Sequence, residues 1–406
     1  MRNCRISNEP TKSIINFGRQ PLGNGFLKEN ETNREYFYDM SLEYSEKSMM
    51  VQLLNQPSPD KMFHENYAFF SGTSQHMSEH FKSFANSVIK GPYLSSKPFV
   101  IELGCNDGIM LQNFDEIGIR HLGIEPSHNV ASVAAEKGVN VKTQFFSSQL
   151  ASSILKEYGQ ADAILAANVM CHIPGIRDIA KAVKVLLKPT GVLQFEDPYL
   201  GDVIKKTSYD QIYDEHVFLF SAHSVKFLFG LEDLELIDVI PQSTHGGSMR
   251  YVLATKGVYP VKESVFELLK EEEMLGLNSI EKLLDFASNV EQSKLDLTTL
   301  LKSLKSKGKR IAGYGATSKS TTILNYCKIG PDLIDYITDT TPLKQGKLTP
   351  GMHIPVVNHE HFLKNPPDYS FLFAWNHAEE IMSKEVEYTN SGGKWIVHVP
   401  KVKILS

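Results

Sequence analysis

The sequence predicts an α/β protein with a doubly wound sheet in the middle of the chain and a second, similar unit at its C-terminal end. Between Lys97 and Thr255, short apolar runs alternate with amphipathic helical stretches, as expected for strands buried between helices. The same alternation returns between Lys309 and His398. In both units the first apolar run ends in a glycine-rich turn that leads towards a helix.

The central unit is predicted to contain seven strands with helices between them. A helix at 74–89 precedes the first strand, and further helices are expected at 130–137 and 178–187. The connections after the strand ends contain the reactive side chains, where ligands bind in such sheets. The predicted strands are 98–103, 121–125, 139–143, 161–166, 190–196, 234–240 and 249–254.

The chain is expected to divide into four parts. At 406 residues it has the length of two or three domains of roughly 100–200 residues. Residues 1–75 are polar, with short apolar pieces, and Phe17–Gly25 is predicted to be a loop. Residues 259–305 show helical periodicity and are expected to form two or three linking helices. The predicted parts are an N-terminal lobe (1–75), a central domain (76–258), a helical linker (259–305) and a C-terminal Rossmann-like α/β domain (306–406).

Composition excludes several classes of protein. The net charge is −5 and no long basic run occurs, so nucleic-acid binding is not indicated. No stretch approaches the ~18 apolar residues of a membrane span, and the polar N-terminus does not have the pattern of a signal peptide. The cysteines lack Cys-x-x-Cys pairing, which favours free thiols in a reducing cytoplasm. They are Cys4, Cys105, Cys171 and Cys327.

The apolar run Phe99–Leu103 leads into the turn Gly104-Cys-Asn-Asp-Gly108. Glycines let a backbone approach a ligand closely, and a strand followed by such a turn and a helix forms a nucleotide-type site. The helix is expected to begin at Ile109. The pattern is neither the Gly-x-Gly-x-x-Gly of dinucleotide sites nor a P-loop with a Lys-Ser/Thr pair. The alternative is a tight turn with only a structural role.

A second acid supports a ligand site. The next strand ends at Glu125, where a carboxylate can bind both hydroxyls of a ribose. Turn and acid together resemble the class I S-adenosylmethionine (SAM) methyltransferases, which implies a Rossmann-like domain that binds SAM. The residues expected at this cofactor are Glu102, Gly104, Asn106, Asp107, Gly108 and Glu125.

Two further segments could perform proton transfer. His172 follows the apolar run of the fourth strand, and Tyr213-Asp-Glu-His216 follows the fifth. Histidine accepts a proton near neutral pH, and Asp214 or Glu215 could orient it. The alternatives are a structural histidine bound to the backbone at 172 and a solvated surface turn at 213–216.

Three more segments could contact a substrate. His245-Gly-Gly-Ser-Met-Arg250 could bind an anion or form a hairpin turn. Gly313-Tyr-Gly-Ala-Thr-Ser-Lys319 could bind phosphate or sugar at a helix N-terminus, although it lacks the third glycine of a dinucleotide site. The aromatic stretch around Tyr67 is either a packed loop or a lid over the site.

These motifs in this order resemble the sugar C-methyltransferases of deoxysugar biosynthesis, over nearly the whole chain. The resemblance implies SAM-dependent methylation at C3 of a nucleotide-linked 4-keto-6-deoxy sugar. It also implies an N-terminal zinc-binding module, a central SAM domain and a C-terminal Rossmann-like domain around one active site. The motifs are Phe17-Gly-x-x-Pro-Leu-Gly-Asn24, Glu102–Gly108, Asn168-Val-Met-Cys-His172, Tyr213–His216, His245–Arg250, Gly313–Lys319 and Asn325–Ile334.

The resemblance assigns roles to individual residues. His216 is the base that removes the C3 proton, His172 donates to the enolate oxygen, and Glu215 positions the sugar or tunes His216. Tyr213 belongs to the catalytic loop, and Tyr67 closes over the substrate. Asn168 joins the residues at SAM. The residues assigned to substrate binding are Glu196, Tyr199, His245, Arg250, Tyr314 and Lys319.

The N-terminal lobe departs from the family pattern. The family's zinc site uses two Cys-x-x-Cys pairs, but here Cys4 is followed by Ser7 in the partner position. The second pair is expected near Tyr44 and Lys47, and neither residue is cysteine. One thiolate cannot complete a tetrahedral zinc site, so neither zinc nor any other metal is expected.

Other functions stay open at this point. A sugar O-methyltransferase would share the SAM half, and an NAD-dependent nucleotide-sugar oxidoreductase could use the turn at Gly313. A scaffold without catalytic activity would not need the histidine loops. The sequence does not identify the nucleotide, the sugar, the product stereochemistry or the pathway. It is compatible with a monomer or a small homo-oligomer.

Overall fold

The computed structural model describes residues 3–62, 71–73 and 75–406, and Tyr67 lies outside this part of the chain. Three sheets organise the described residues. None of their helices combines the length and the apolar character that a membrane crossing requires.

The first sheet is antiparallel and belongs mainly to the N-terminal lobe. Its first three strands are β1 (Lys12–Pro21), β2 (Phe37–Ser45) and β3 (Met50–Leu53). The fourth strand, Phe218–Leu219, comes from the central part of the chain and pairs with β3. The lobe is therefore completed by residues that closely follow the predicted catalytic loop at 213–216.

The loop predicted at Phe17–Gly25 is partly wrong, because β1 continues to Pro21. Gly18 has a positive φ of 72°, and the register against β2 shifts between Asn16 and Gly18. The glycine thus marks a β-bulge within a paired strand rather than the start of a loop.

The second sheet is the predicted doubly wound sheet, and all seven predicted strands are present. Its strands are β4 (Phe99–Leu103), β5 (Arg120–Ile124), β6 (Val141–Lys142), β7 (Ala161–Ala167), β8 (Leu187–Pro198), β10 (Leu234–Gln242) and β11 (Ser248–Thr255), and the strand Phe218–Leu219 of the first sheet is β9. The order in the second sheet is β10-β11-β8-β7-β4-β5-β6. β11 runs antiparallel to both its neighbours, whereas the other pairings are parallel.

Helices cover this sheet, and their buried residues recur at helical spacing. In the segment 176–186, for example, Ile176, Ile179, Ala180 and Val183 face the core. The helices up to this point are α1 (Pro59–Met62), α2 (Gln75–Ile89), α3 (Gln112–Asp115), α4 (His128–Glu136), α5 (Ser148–Tyr158), α6 (Ile176–Leu186), α7 (Leu200–Lys206) and α8 (Ala222–Gly230).

The helix predicted to begin at Ile109 starts only at Gln112 and is one turn long. Ile109, Met110 and Leu111 are all buried. Three consecutive buried residues cannot lie on one face of a surface helix. They form turns that fill the space beneath the sheet.

Two long helices replace a simple linker. They are α9 (Glu263–Leu275) and α10 (Ile280–Ser306). The buried residues of α10 include Phe286, Val290, Leu297 and Leu301, and they join one apolar core with residues of all three sheets. The linker therefore packs the lobe and the C-terminal domain together.

The third sheet forms the C-terminal domain, with the order β14-β13-β12-β15-β16-β17. Its pairings are parallel except for β17 against β16. The strands are β12 (Ile311–Tyr314), β13 (Ile337–Thr338), β14 (Val356–Val357), β15 (Tyr369–Leu372), β16 (Lys394–Val397) and β17 (Lys403–Leu405), and the helices are α11 (Ser318–Cys327), α12 (His359–Lys364), α13 (Ala378–Lys384) and α14 (Val386–Asn390).

Candidate active site

The glycine turn after β4 has the backbone conformation that its sequence predicts. Gly104, Asn106 and Gly108 have positive φ angles of 65°, 48° and 78°. A Cβ atom on Gly108 would lie 2.8 Å from a methyl group of Val139. The left-handed backbone and the close packing together require glycine at this position. The turn places Glu102 beside the end of β5, where Glu125 lies.

Acidic groups crowd this edge of the sheet. Burial raises the pKa of Glu102 well above its usual range, and the nearby Asp107 and Glu125 raise it further. Glu125 accepts backbone hydrogen bonds from Asn106 (3.1 Å) and Ser127 (2.8 Å), yet burial still raises its pKa. A ligand that carries positive charge and hydroxyl donors would relieve this repulsion.

The site retains acceptors that fit such a ligand. Glu102 Oε2, Asp107 Oδ1 and Asn168 Oδ1 are buried and lack hydrogen-bond partners among the described residues. Buried acceptors are normally satisfied. An ammonium group and the ribose hydroxyls of SAM would supply the missing donors, so these residues fit the predicted cofactor.

A short segment before α2 covers the turn, and the sequence analysis missed it. The Ser71 N–H donates to Asn106 Oδ1 and the Gly72 N–H to Asp107 Oδ2, both at 3.0 Å. Lys137 adds an ion pair to Asp107 at 3.2 Å. Nothing in the local sequence of 71–72 indicates this contact, because it depends on backbone N–H groups.

The end of β7 carries the next candidate residues. Asn168 has a positive φ of 56°, and the following turn contains His172. Burial lowers the pKa of His172 to about 3, so its imidazole is neutral at physiological pH. The ring stacks on His216, with centroids 5.2 Å apart and planes 26° apart. The two predicted catalytic histidines therefore lie together.

Hydrogen bonds define the protonation of His216. Its Nδ1 lies 2.7 Å from the carbonyl oxygen of Gln211, and a carbonyl can only accept, so Nδ1 carries the proton. Nε2 then presents its lone pair, to which the hydroxyl of Tyr213 donates at 2.8 Å. Burial, followed by the proximity of His172, lowers the pKa of His216 well below its usual value. His216 is thus a neutral imidazole with an acceptor at Nε2.

The N-terminal lobe holds the loop at 213–216, and this role was not predicted. The Gly23 N–H donates to Asp214 Oδ2 at 3.0 Å, and Asn24 Nδ2 donates to Glu215 Oε1 at 2.7 Å. Burial raises the pKa of Asp214 to about 6. Asn24 lies in a motif that the family resemblance included without a role.

Gln56 is a second unpredicted contact from the lobe. Its Nε2 donates to the carbonyl of His172 (3.3 Å) and to that of Asp214 (3.1 Å). It thereby joins the two predicted catalytic loops to the lobe, and no local pattern in the sequence marks it.

The C-terminal domain contributes Lys319 at the start of α11. Burial lowers the pKa of Lys319, and Asp210 opposes this shift. Burial, followed by the positive charge of Lys319, lowers the pKa of His245 well below its usual value. The same charge adds to the lowering of the pKa of His216 that burial and His172 cause. Gln211, whose carbonyl orients His216, also donates its side-chain amide to the carbonyl of His245. His245 of the central domain and Lys319 of the C-terminal domain therefore lie within electrostatic reach of the histidines. Both residues were predicted to bind substrate.

Glu196 and Arg250 are predicted to bind substrate, but the structure pairs them with each other. Arg250 Nε donates to Glu196 Oε1 at 2.6 Å, and both side chains are buried. His80 lies 2.6 Å from the second oxygen of Glu196, and the guanidinium covers the ring of Phe84 at 3.6 Å. Their substrate-binding role stays a prediction that this ion pair argues against.

Two predicted tyrosines lie in other surroundings. Burial, followed by the charge of Glu272 on α9, raises the pKa of Tyr199. Tyr314 donates to Glu385 at 2.7 Å and packs against Phe362 in the C-terminal core. Neither has a contact with the two catalytic histidines in the described part of the chain, and their substrate contacts stay predictions.

The strand order, the glycine turn and the acid after β5 define a class I SAM methyltransferase fold with an additional C-terminal domain. Family models match three stretches of the chain: “Putative zinc binding domain” at 4–63, “Methyltransferase domain” at 75–239 and “C-methyltransferase C-terminal domain” at 243–400. The C-methyltransferase NovU of Streptomyces niveus is 30% identical over 99% of this chain and 96% of its own length. The chain belongs to this C-methyltransferase family.

More distant similarities concern the methyltransferase part. A ubiquinone biosynthesis O-methyltransferase of Acinetobacter baylyi is 24% identical over 47% of this chain and 72% of its own length. A solved SAM-dependent methyltransferase from Anabaena variabilis is 16% identical, with a TM-score of 0.36, and the match covers 44% of this chain and 86% of that one.

Proposed function

We propose that this C-methyltransferase methylates C3 of a nucleotide-linked 4-keto-6-deoxy sugar. The observation that carries the proposal is the state of His216: a neutral imidazole whose Nε2 is an acceptor, stacked on a second neutral histidine. A C–H next to a ketone is acidic enough for such a base, because the negative charge spreads onto the ketone oxygen. An O-methyltransferase acting on a hydroxyl does not need to form this carbanion.

Both ring nitrogens of His216 would have a role in proton removal. Nε2 would accept the C3 proton once the Tyr213 hydroxyl, which donates to it in this structure, turns away. The carbonyl of Gln211 would stabilise the resulting imidazolium through the Nδ1–H. Proton transfer by a positioned base contributes roughly 10²–10⁴-fold to rate. His172, half-buried and stacked on this ring, would donate to the enolate oxygen, and Glu215, held by Asn24, would position the sugar.

SAM would supply the methyl group, which its sulfonium sulfur carries. The C3 carbon would bond to this methyl group as the bond to sulfur breaks and a neutral thioether leaves. The buried acceptors of Glu102 and Asn168 would hold it at the glycine turn, and Glu125 would bind the ribose. Lys319, whose positive charge acts on His216 and His245, would contact the diphosphate. Alignment of the two reactants, rather than acid catalysis, would then govern the transfer.

The test is a product assay with SAM and a panel of nucleotide-linked 4-keto-6-deoxy sugars. We expect a mass gain of one methyl and, when SAM is withheld in D2O, exchange of the C3 hydrogen. His216→Asn should reduce both methylation and exchange by about 10²–10⁴-fold while SAM still binds in calorimetry. His361→Asn, at an exposed histidine of the C-terminal domain, is the matched control.

Two results would contradict the proposal. Near-normal turnover of His216→Asn would mean that the base is assigned wrongly. A methyl gain without C3 exchange, with loss of a hydroxyl, would indicate O-methylation instead.

A further inference from the structure

The N-terminal lobe matches a family model described as a putative zinc binding domain at residues 4–63. The residues at the corresponding ligand positions show whether this lobe can bind zinc. A structural zinc site has four ligands in tetrahedral geometry, commonly from two pairs spaced like Cys-x-x-Cys. In this structure two such pairs meet: Cys4 with Ser7, and Ser45 with Ser48. Cys4 Sγ lies 3.2 Å from Ser48 Oγ, and Ser7 Oγ lies 3.4 Å from Ser45 Oγ.

The second pair of the cluster is Ser45 and Ser48, one residue later in the chain than the positions near Tyr44 and Lys47 expected from the sequence. Tyr44 instead points out of the cluster, and its hydroxyl donates to the carbonyl of Asn278 at 2.7 Å. Lys47 forms a surface ion pair with Glu9. The side chains of a strand alternate between faces, so a shift of one residue exchanges a ligand position for its opposite face.

The residues at the four positions do not fit zinc. Protein ligands for zinc are thiolates, imidazoles and carboxylates, and the cluster offers one thiol and three neutral hydroxyls. Among the described residues, three side chains that can ligate a metal lie close enough to share one ion. They are Cys171, His172 and His216, in the candidate active site. The N-terminal cluster contains no such group.

The four side chains at the ligand positions form hydrogen bonds with one another and with nearby backbone N–H groups. The backbone N–H groups of Ile6 and Ser7 point at Cys4 Sγ, at 3.3 and 3.4 Å. The Ser48 N–H points at Ser45 Oγ at 3.4 Å. These contacts link the turn at 4–7 to the turn at 45–48, and Cys4, Ser45 and Ser48 are buried.

The lobe also has other anchors. Arg177 on α6 donates to the carbonyl of Ile6 at 3.4 Å, and the Arg5 N–H donates to Gln52 on β3 at 3.0 Å. β3 itself pairs with β9 of the central part of the chain. A lobe fixed by strand pairing and by these hydrogen bonds does not need a metal to define its position.

We propose that Cys4, Ser7, Ser45 and Ser48 form a metal-free, hydrogen-bonded replacement of a zinc knuckle, and that the lobe folds without zinc. The backbone keeps the spacing of the lost site. The triple variant Ser7→Cys/Ser45→Cys/Ser48→Cys should therefore create a tetrahedral thiolate site around Cys4.

The first experiment measures zinc in the full chain purified from zinc-supplemented cells, and the melting temperature with and without a chelator. We expect well below one zinc per chain and an unchanged melting temperature. Stoichiometric zinc that is absent from Cys4→Ser and whose removal lowers the melting temperature would overturn the proposal. If Cys4→Ser binds as much zinc as the wild type, the metal lies at another site, and this result would support a knuckle without metal.

The second experiment adds Co²⁺ to the triple variant and to the wild type. The variant should show thiolate-to-cobalt charge transfer and tetrahedral d–d absorption, and its melting temperature should rise with Co²⁺, whereas the wild type should show neither. A variant that is folded by circular dichroism but binds no Co²⁺ would refute the retained ligand geometry. Absorption of this kind in the wild type would refute the loss of the site.

Discussion

The ion pair between Arg250 and Glu196 offers a test that separates a structural role from substrate binding. The two side chains are 5% and 1% exposed, and Arg250 Nε lies 2.6 Å from Glu196 Oε1. Arg250→Met keeps the aliphatic volume but leaves the buried Glu196 carboxylate without the guanidinium and with only His80 beside it, at 2.6 Å. Breaking one partner of a buried pair costs about 3–5 kcal/mol.

This loss should appear as a lower melting temperature. At about 2–4 °C per kcal/mol for a unit of 150–250 residues, the expected decrease is roughly 6–20 °C. The measurement is thermal unfolding by circular dichroism, together with the KM for the proposed keto-sugar substrate. Lys12→Met is the matched control. In its ion pair with Glu46 the two side chains are 52% and 62% exposed, and such exposed pairs contribute at most about 1 kcal/mol.

A double variant adds a second check. Glu196→Gln/Arg250→Met removes both charges and should regain part of the lost stability, since no unpaired ion remains. If Arg250→Met keeps its melting temperature while the KM for the sugar rises tenfold or more, the ion-pair argument is wrong. The substrate-binding role predicted from the sequence would then be right.

Two further predictions concern the catalytic loops. Asn24→Ala removes the 2.7 Å hydrogen bond to Glu215, and hydrogen bonds to charged groups contribute about 1.5–3 kcal/mol. We therefore expect kcat/KM for methylation to fall by at least about tenfold while the affinity for SAM stays unchanged. An unchanged kcat/KM would contradict the positioning role of Asn24. Asp197→Asn removes a buried carboxyl whose pKa burial raises to about 8. The folded wild type binds a proton there that the unfolded chain has lost, so its stability falls as pH rises from about 4 to 8. The melting temperature of Asp197→Asn minus that of the wild type should therefore increase from about pH 4 to pH 8. A difference that does not depend on pH would contradict the raised pKa of Asp197.

Controls for these two variants come from the same chain. Asn24→Asp keeps the size of the side chain but places a second carboxylate against Glu215, so the loss of kcat/KM should exceed that of Asn24→Ala. Asp178→Asn removes an exposed carboxylate whose hydrogen bonds from Ser148 lower its pKa. The folded-state pKa lies below the usual one, so the difference from the wild type should be constant above about pH 5.

Local patterns in the sequence were sufficient for the central sheet and for part of the site. Apart from Asp162, the run at 161–167 is apolar and bounded by polar residues, and it forms β7 at the predicted place. The glycine turn at 104–108 depends on neighbouring residues, and so does the loop of Tyr213 and His216. Strand periodicity and turn chemistry act over a few residues, so one sequence determines them without knowledge of the rest of the fold.

Tertiary structure decided what depends on residues far apart in the chain. Asn24 binds Glu215 across 191 positions, and Ser48 meets Cys4 across 44. Arg250 was predicted to bind a substrate anion because its side chain suits that role, but the fold places Glu196 beside it. Which partner a charged or polar side chain meets depends on how strands and lobes pack together, and no local spacing of residues encodes that.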